Sequence, residues 1–284
     1  MRKVIRHVLQ GREKRITADE TVIQPLPHKD FRFANPFIVL HHIGPKEIPA
    51  GSAMRIHPHP HRGFSPVSFF IQGEGYHMDN AGHSGTIAAG GIQWMFAGKG
   101  LLHSEGPTKE MLEKGGIQEM IQIWVNVPKA NKWDEPYYQS AQKEALPPVL
   151  EQDGVQLRLA SGEYEGKKSP MKSFTPVTAI TGSIEKGKTV YIAAIPGYQA
   201  LLYVSKGSIN VNEQTAQMHQ LVVFDRENDE IVITAAEDSA ILYLSAEPID
   251  EPVAAKDNFV MNTPEEVEQA MEDYRNGRFG TLEY

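Results

Sequence analysis

The sequence predicts an all-β protein of two β-barrels, with one short helix close to its C-terminus. Short apolar or alternating runs recur at 37–40, 67–71, 92–96, 117–127, 155–159, 190–195, 200–204, 221–224, 231–234 and 240–245. Gly, Asn, Asp and Pro separate them, which is the spacing of strands and turns in a sandwich or barrel. An internal echo doubles the unit. Val67-Ser68-Phe69-Phe70-Ile71-Gln72-Gly73 resembles Leu201-Leu202-Tyr203-Val204-Ser205-Lys206-Gly207, each an apolar strand that ends in a glycine turn with another strand behind it. Helix signals are confined to one stretch near the end.

Taken in order, the strands of the first barrel run to about residue 130. Within it His77 and His83 flank Asp79-Asn80-Ala81-Gly82, a hairpin turn, and are expected to be structural. Between Val127 and Pro148 the pattern breaks, and Pro147-Pro148 oppose a strand ladder, so 131–147 is expected to be a linker between an N-terminal domain (1–130) and a C-terminal one (148–284). Thr263-Pro264-Glu265-Glu266 is a capping box with proline at the first helical position. The helix should run to about Asn276 and close at Gly277. Val267, Ala270, Met271 and Tyr274 form its apolar stripe, expected to dock on a barrel, and Glu265, Glu266, Glu268, Glu272 and Asp273 its solvated face.

Bulk properties narrow the function. At 284 residues the chain fits two domains, and 36 acidic against 28 basic residues give a net charge of −8, which disfavours direct binding to nucleic acid or anionic lipid. Without cysteine there are no disulfides and no thiolate ligands, so histidine and carboxylate must do any coordinating. The N-terminus turns polar again at Gln10 to Arg15, leaving no signal core, and no later run suits a membrane span. A soluble, cytoplasmic protein is expected.

The histidines are concentrated. His41, His42, His57, His59, His61, His77, His83 and His103 all fall between positions 41 and 103. Residues two apart on a strand share a face, so His59 and His61 can aim at one point, as can His103 and Glu105. Three neutral imidazoles and a carboxylate suit iron, nickel, copper or zinc and are too nitrogen-rich for calcium or magnesium. His57 lies on the same strand face, and alternation alone does not say which two of His57, His59 and His61 bind.

The segment from His59 to Pro107 resembles the pirin family of the cupin superfamily. The resemblance rests on His59-Pro60-His61-Arg62-Gly63-Phe64, Gln93-Trp94-Met95 and Gly100-Leu101-Leu102-His103-Ser104-Glu105. It continues through Ile123-Trp124-Val125-Asn126, Glu135-Pro136-Tyr137 and Phe259-Val260-Met261-Asn262-Thr263, and so covers nearly the whole chain. It implies a bicupin with iron(II) in the first barrel, held by His59, His61, His103 and Glu105, and leaves His57 outside the pattern. Nickel, manganese, cobalt, copper and zinc are the alternative metals. Aligned on the glycines of the echo, Ala193 and Ile195 stand where His59 and His61 do, so the second barrel is expected to be metal-free.

Two positions depart from the family pattern. Ser65-Pro66 stands where pirins commonly keep Glu-Thr, and His41-His42 stands where relatives carry an acidic residue; the two histidines are expected to pack. Some pirins act on flavonols, so the resemblance implies a quercetin 2,4-dioxygenase that takes a small aromatic substrate and O2, with Glu105 as catalytic base. Its alternative is a metal- or redox-responsive regulator working through a protein partner.

Overall fold

A computed structural model describes residues 1–17, 20–53 and 56–283. Every apolar run read from the sequence falls on a strand, among them Phe37–Ile48, Phe64–Gln72, Ile92–Phe96, Gly116–Asn126, Val155–Ser161 and Ser239–Ala246, although 190–195 outlasts Thr189–Ala193 by two residues and 117–127 outlasts Gly116–Asn126 by one. The helix Pro264–Arg275 has the expected capping box: Thr263 Oγ1 accepts from Glu266 N, and Glu266 Oε2 accepts from Thr263 N. A shorter helix, Lys109–Lys114, was not foreseen.

The strands form two compact units, each assembled from two separate stretches of chain. One combines Met1–His42 with Glu144–Pro248, the other Ile43–Lys143 with Ile249–Tyr284. This differs from the contiguous ranges 1–130 and 148–284, and pairing explains why. Ile5–Gln10 lies antiparallel to Gln220–Phe224 and so completes a sheet of the first unit. The C-terminal segment joins the other unit, where Val260 N donates to Arg62 O. The helix belongs there too: Val267 and Ala270 pack with Leu102, Phe259, Met261 and Phe279. Nor is 131–147 a bare connector, since Tyr137–Ala141 pairs in register with Ile92–Phe96.

In the unit containing Glu144–Pro248, a seven-stranded sheet and a four-stranded one enclose a mainly aliphatic core. Leu157, Ile180, Leu202, Val222 and Tyr243 from the first meet Val190, Ile192, Ile209, Ile231 and Ile233 from the second. The other unit has the same plan with a different interior. Its four-stranded sheet runs Ile56–His61, Leu101–Gly106, Glu74–Asp79, Ser84–Ala88, and its larger sheet carries Ile92–Phe96, Phe64–Gln72 and Gly116–Asn126 as neighbours. Here the buried positions include His61, His77, Asp79, His103, Glu105 and Gln122. Such a cluster of buried polar groups must be hydrogen-bonded or hold an ion.

Candidate metal centre

Strand pairing brings the histidines together. Ile56–His61 and Leu101–Gly106 are antiparallel neighbours, with His59 opposite His103 and His61 opposite Leu101. Ring centroids lie 4.3 Å apart for His59 and His103, 4.8 Å for His61 and His103, and 5.0 Å for His59 and His61. One ring nitrogen from each of the three falls within 4.8 Å of the others. His57 stays exposed. The register slips between His103 and Glu105, so that Glu105 faces Ile56, and the regular alternation that would have carried His57 inward ends there.

Hydrogen bonds fix which nitrogens converge. His59 Nδ1 lies 2.9 Å from His57 O and His61 Nδ1 3.3 Å from Asn258 O. A carbonyl only accepts, so each Nδ1 carries the ring's proton and each Nε2 presents a lone pair. His59 Nε2 is 2.8 Å from His103 Nε2. Burial, and then the neighbouring imidazoles, hold His61 and His103 well below the usual histidine range, so both are neutral at pH 7. Converging neutral imidazole nitrogens are the donor set of a first-row transition cation.

Glu105 is buried on the same strand as His103, and its neighbours orient it. Trp124 Nε1 donates to Gln122 Oε1 at 3.2 Å. An indole nitrogen can only donate, which turns the Gln122 amide so that Nε2 points to Glu105 Oε1 at 3.2 Å and to Ser68 Oγ at 3.3 Å. Phe64 and Trp124, 4.4 Å apart, each set an aromatic ring against His61. Ser65 and Pro66 sit in the strand ladder opposite Val125 and Trp124.

The rest of the His-Pro-His-Arg-Gly-Phe motif is an anchor. Arg62 is buried, with Nε donating to Lys99 O at 2.6 Å and Nη1 to Asp273 Oδ2 at 2.7 Å, and the guanidinium lies over the rings of Phe279 and Trp133. Asp273 is therefore not part of the helix's solvated face. Gly63 has φ +84°, and a Cβ there would stand 2.2 Å from Val260 O. Lys132 Nζ, buried, donates to Gly63 O, Asn126 Oδ1 and Val260 O.

His77, expected to be structural, places its Nδ1 3.4 Å from His103 Nδ1. Pairing of Leu101–Gly106 with Glu74–Asp79 sets Asp79 opposite His103 and His77 opposite Glu105. A His-x-Asp strand beside a His-x-Glu strand is the signal that could have shown it. His41 and His42 belong to the other unit: His41 Nε2 meets Gln24 Oε1, and His42 Nδ1 meets the Tyr203 hydroxyl, each at 3.0 Å.

Two family descriptions match the sequence, pirin over residues 16–125 and the pirin C-terminal cupin domain over residues 179–280. Human pirin is 33% identical over 228 residues, 78% of this chain and 77% of that protein. The chain belongs to the pirin family. A protein from Pseudomonas aeruginosa named "putative quercetin 2,3-dioxygenase" is 34% identical over 247 residues, 86% of each chain. A solved structure of quercetin 2,3-dioxygenase from Acinetobacter baumannii superposes with a TM-score of 0.93 at 31% identity, covering all of both chains. The pirin bicupin architecture accounts for the two barrels and the terminal helix. Among the described residues no helix is long and apolar enough to cross a membrane.

Proposed function

We propose that this pirin is an iron-dependent dioxygenase acting on flavonol-type substrates such as quercetin, with the metal held by His59, His61, His103 and Glu105. The observation that carries the reading is the convergence of three imidazole nitrogens on one point, with the Nδ1 protons of His59 and His61 committed to backbone carbonyls. His59 Nε2 and His103 Nε2 stand 2.8 Å apart, close enough for one cation to take a lone pair from each. The donor set fits iron(II) and equally admits nickel, manganese, cobalt, copper or zinc. Relatives named for quercetin dioxygenation support the substrate class.

A bound iron(II) supplies a Lewis acid and one-electron chemistry with dioxygen that no side chain offers. The chain's own part is positioning and proton transfer. Glu105 takes the proton of the substrate's 3-hydroxyl on its carboxylate, while Gln122 Nε2 holds Oε1 in place. Phe64 and Trp124, buried against His61, hold its ring in the orientation that the cation needs.

Oxygen uptake by protein loaded with iron(II) under anaerobic conditions, followed on adding quercetin, tests the reading. Wild-type protein should consume oxygen and His103→Ala should not. Glu105→Gln should retain much of its iron and lose turnover by at least roughly a hundredfold, the usual worth of a general base. Turnover retained in Glu105→Gln would refute the base role. No uptake from protein that holds iron would favour a regulator acting through a protein partner.

A further inference from the structure

We propose that Asp79 and His77 form a tautomer relay that favours the form of His103 whose Nε2 is free to hold a cation. The inference rests on the reading of His59, His61 and His103 as ligands. At the far end stands the Asp79 carboxylate, buried in the hairpin. Its Oδ1 accepts from the backbone N–H groups of Ala81 at 3.0 Å and His83 at 3.1 Å. Its Oδ2 lies 3.1 Å from His77 Nε2, and His83 Nδ1 lies 3.1 Å from both oxygens. A carboxylate only accepts, so His77 carries its proton on Nε2.

With the ring's single proton on Nε2, the other nitrogen of His77, Nδ1, is an acceptor, and it faces His103 Nδ1 at 3.4 Å. A proton on His103 Nδ1 completes that contact and leaves His103 Nε2 as a lone pair, whereas a proton on Nε2 would donate to His59 Nε2 at 2.8 Å; His77 therefore favours the ligand tautomer against this competing bond, and a cation at Nε2 removes the competitor. Tyr138 stacks on His77 at 4.4 Å with the rings 1° from parallel, holding the imidazole plane on which the geometry depends. His59 and His61 take their tautomers from backbone carbonyls. His103 takes its own from two side chains. Asp79 and His77 are thus positioning residues, the outer partners that orient a ligand and tune its donor strength.

Asp79→Asn should reverse the relay with little change of shape. The two backbone N–H groups keep the amide oxygen at the Oδ1 position, so the amide NH2 replaces Oδ2 and donates to His77 Nε2. His77 then carries its proton on Nδ1, His103 must accept there, and its own proton moves to Nε2, the nitrogen needed for the cation. Long-range 1H–15N spectra of the metal-free protein read the His77 tautomer directly, and competition with a chelator reads affinity for nickel(II) as the probe. The expected result is Nε2–H in wild type, Nδ1–H in Asp79→Asn, and at least roughly tenfold weaker nickel binding in the variant.

His77→Phe, which keeps the stack on Tyr138, cuts the chain. In that background Asp79→Asn should have no further effect on nickel affinity, because its influence reaches His103 only through His77. An unchanged His77 tautomer in Asp79→Asn, or an equal loss of affinity with and without His77, would overturn the relay. His103→Ala separates the two ideas. Wild-type nickel affinity in His103→Ala would defeat the ligand reading itself. Weak binding in His103→Ala, together with a flipped His77 tautomer and undiminished affinity in Asp79→Asn, would defeat the relay alone.

Discussion

At Arg62 one side chain ties the histidine strand to the C-terminal helix. Its guanidinium meets Asp273 at 2.7 Å in a buried environment, and Asp273 also accepts from Gln269 and Arg278. Removing one partner of such a pair leaves a charge without compensation, so Asp273→Ala should lower unfolding stability by about 3 kcal/mol in urea melts. Glu268→Ala, which breaks only the exposed pair with Lys256, should fall within about 0.5 kcal/mol of wild type. Equal effects would show that the buried pair has no special weight. Alternation on a strand, which needs only neighbours in sequence, set His59 with His61 and His103 with Glu105 on shared faces, but it left His57 as an equal candidate until the resemblance to pirins set it apart. Asp273 was not, since an acidic residue in an acidic run gives no sign of a partner 211 positions away. His77 was hidden for a similar reason, its contact with His103 depending on strand register.

Among the elements, those with one apolar face were readable. The helix Pro264–Arg275 announced itself through Thr263 and Glu266, and replacing Thr263 by Ala should cost about 1 kcal/mol by the same melts. No loss would mean that the Glu266 carboxylate satisfies the helix start by itself. Apolar alternation likewise marked Glu230–Ala235 and Val155–Ser161. Arg12–Arg15 escaped because all four residues are exposed and charged. Glu74–Asp79 was implied only by the hairpin turn that follows it and shows no apolar run: its buried positions include His77 and Asp79, so the inward face is polar and mimics a surface pattern. Site-facing strands break the rule that reveals ordinary ones.

On the scale of the whole molecule, the number and kind of barrels could be read, but not the exchange of termini. Ile5–Gln10 reaches its partner Gln220–Phe224 across most of the chain, and local periodicity carries no information on such pairing. The two units share a response to acid. Burial pushes His41 down to about 4 in one, and holds His61 and His103 well below 6.5 in the other. Above pH 6.5 these groups are neutral in both folded and unfolded chains and give no pH dependence. Below it the unfolded chain takes up protons that the folded one refuses, so metal-free protein should lose stability from pH 6.5 downward. The slope is up to about 1.4 kcal/mol per pH unit for each histidine, ending near pH 4 for His41. Urea melts at pH 7 and pH 5 check the sign, and equal or greater stability at pH 5 would contradict it. The central claim, that three histidines hold one resident cation, meets its most direct test in an anaerobic titration of metal-free protein with iron(II), wild type beside His59→Ala. One tightly bound ion per chain in wild type and none in the variant is the expected result. Equal binding by both, or none by wild type, would contradict it.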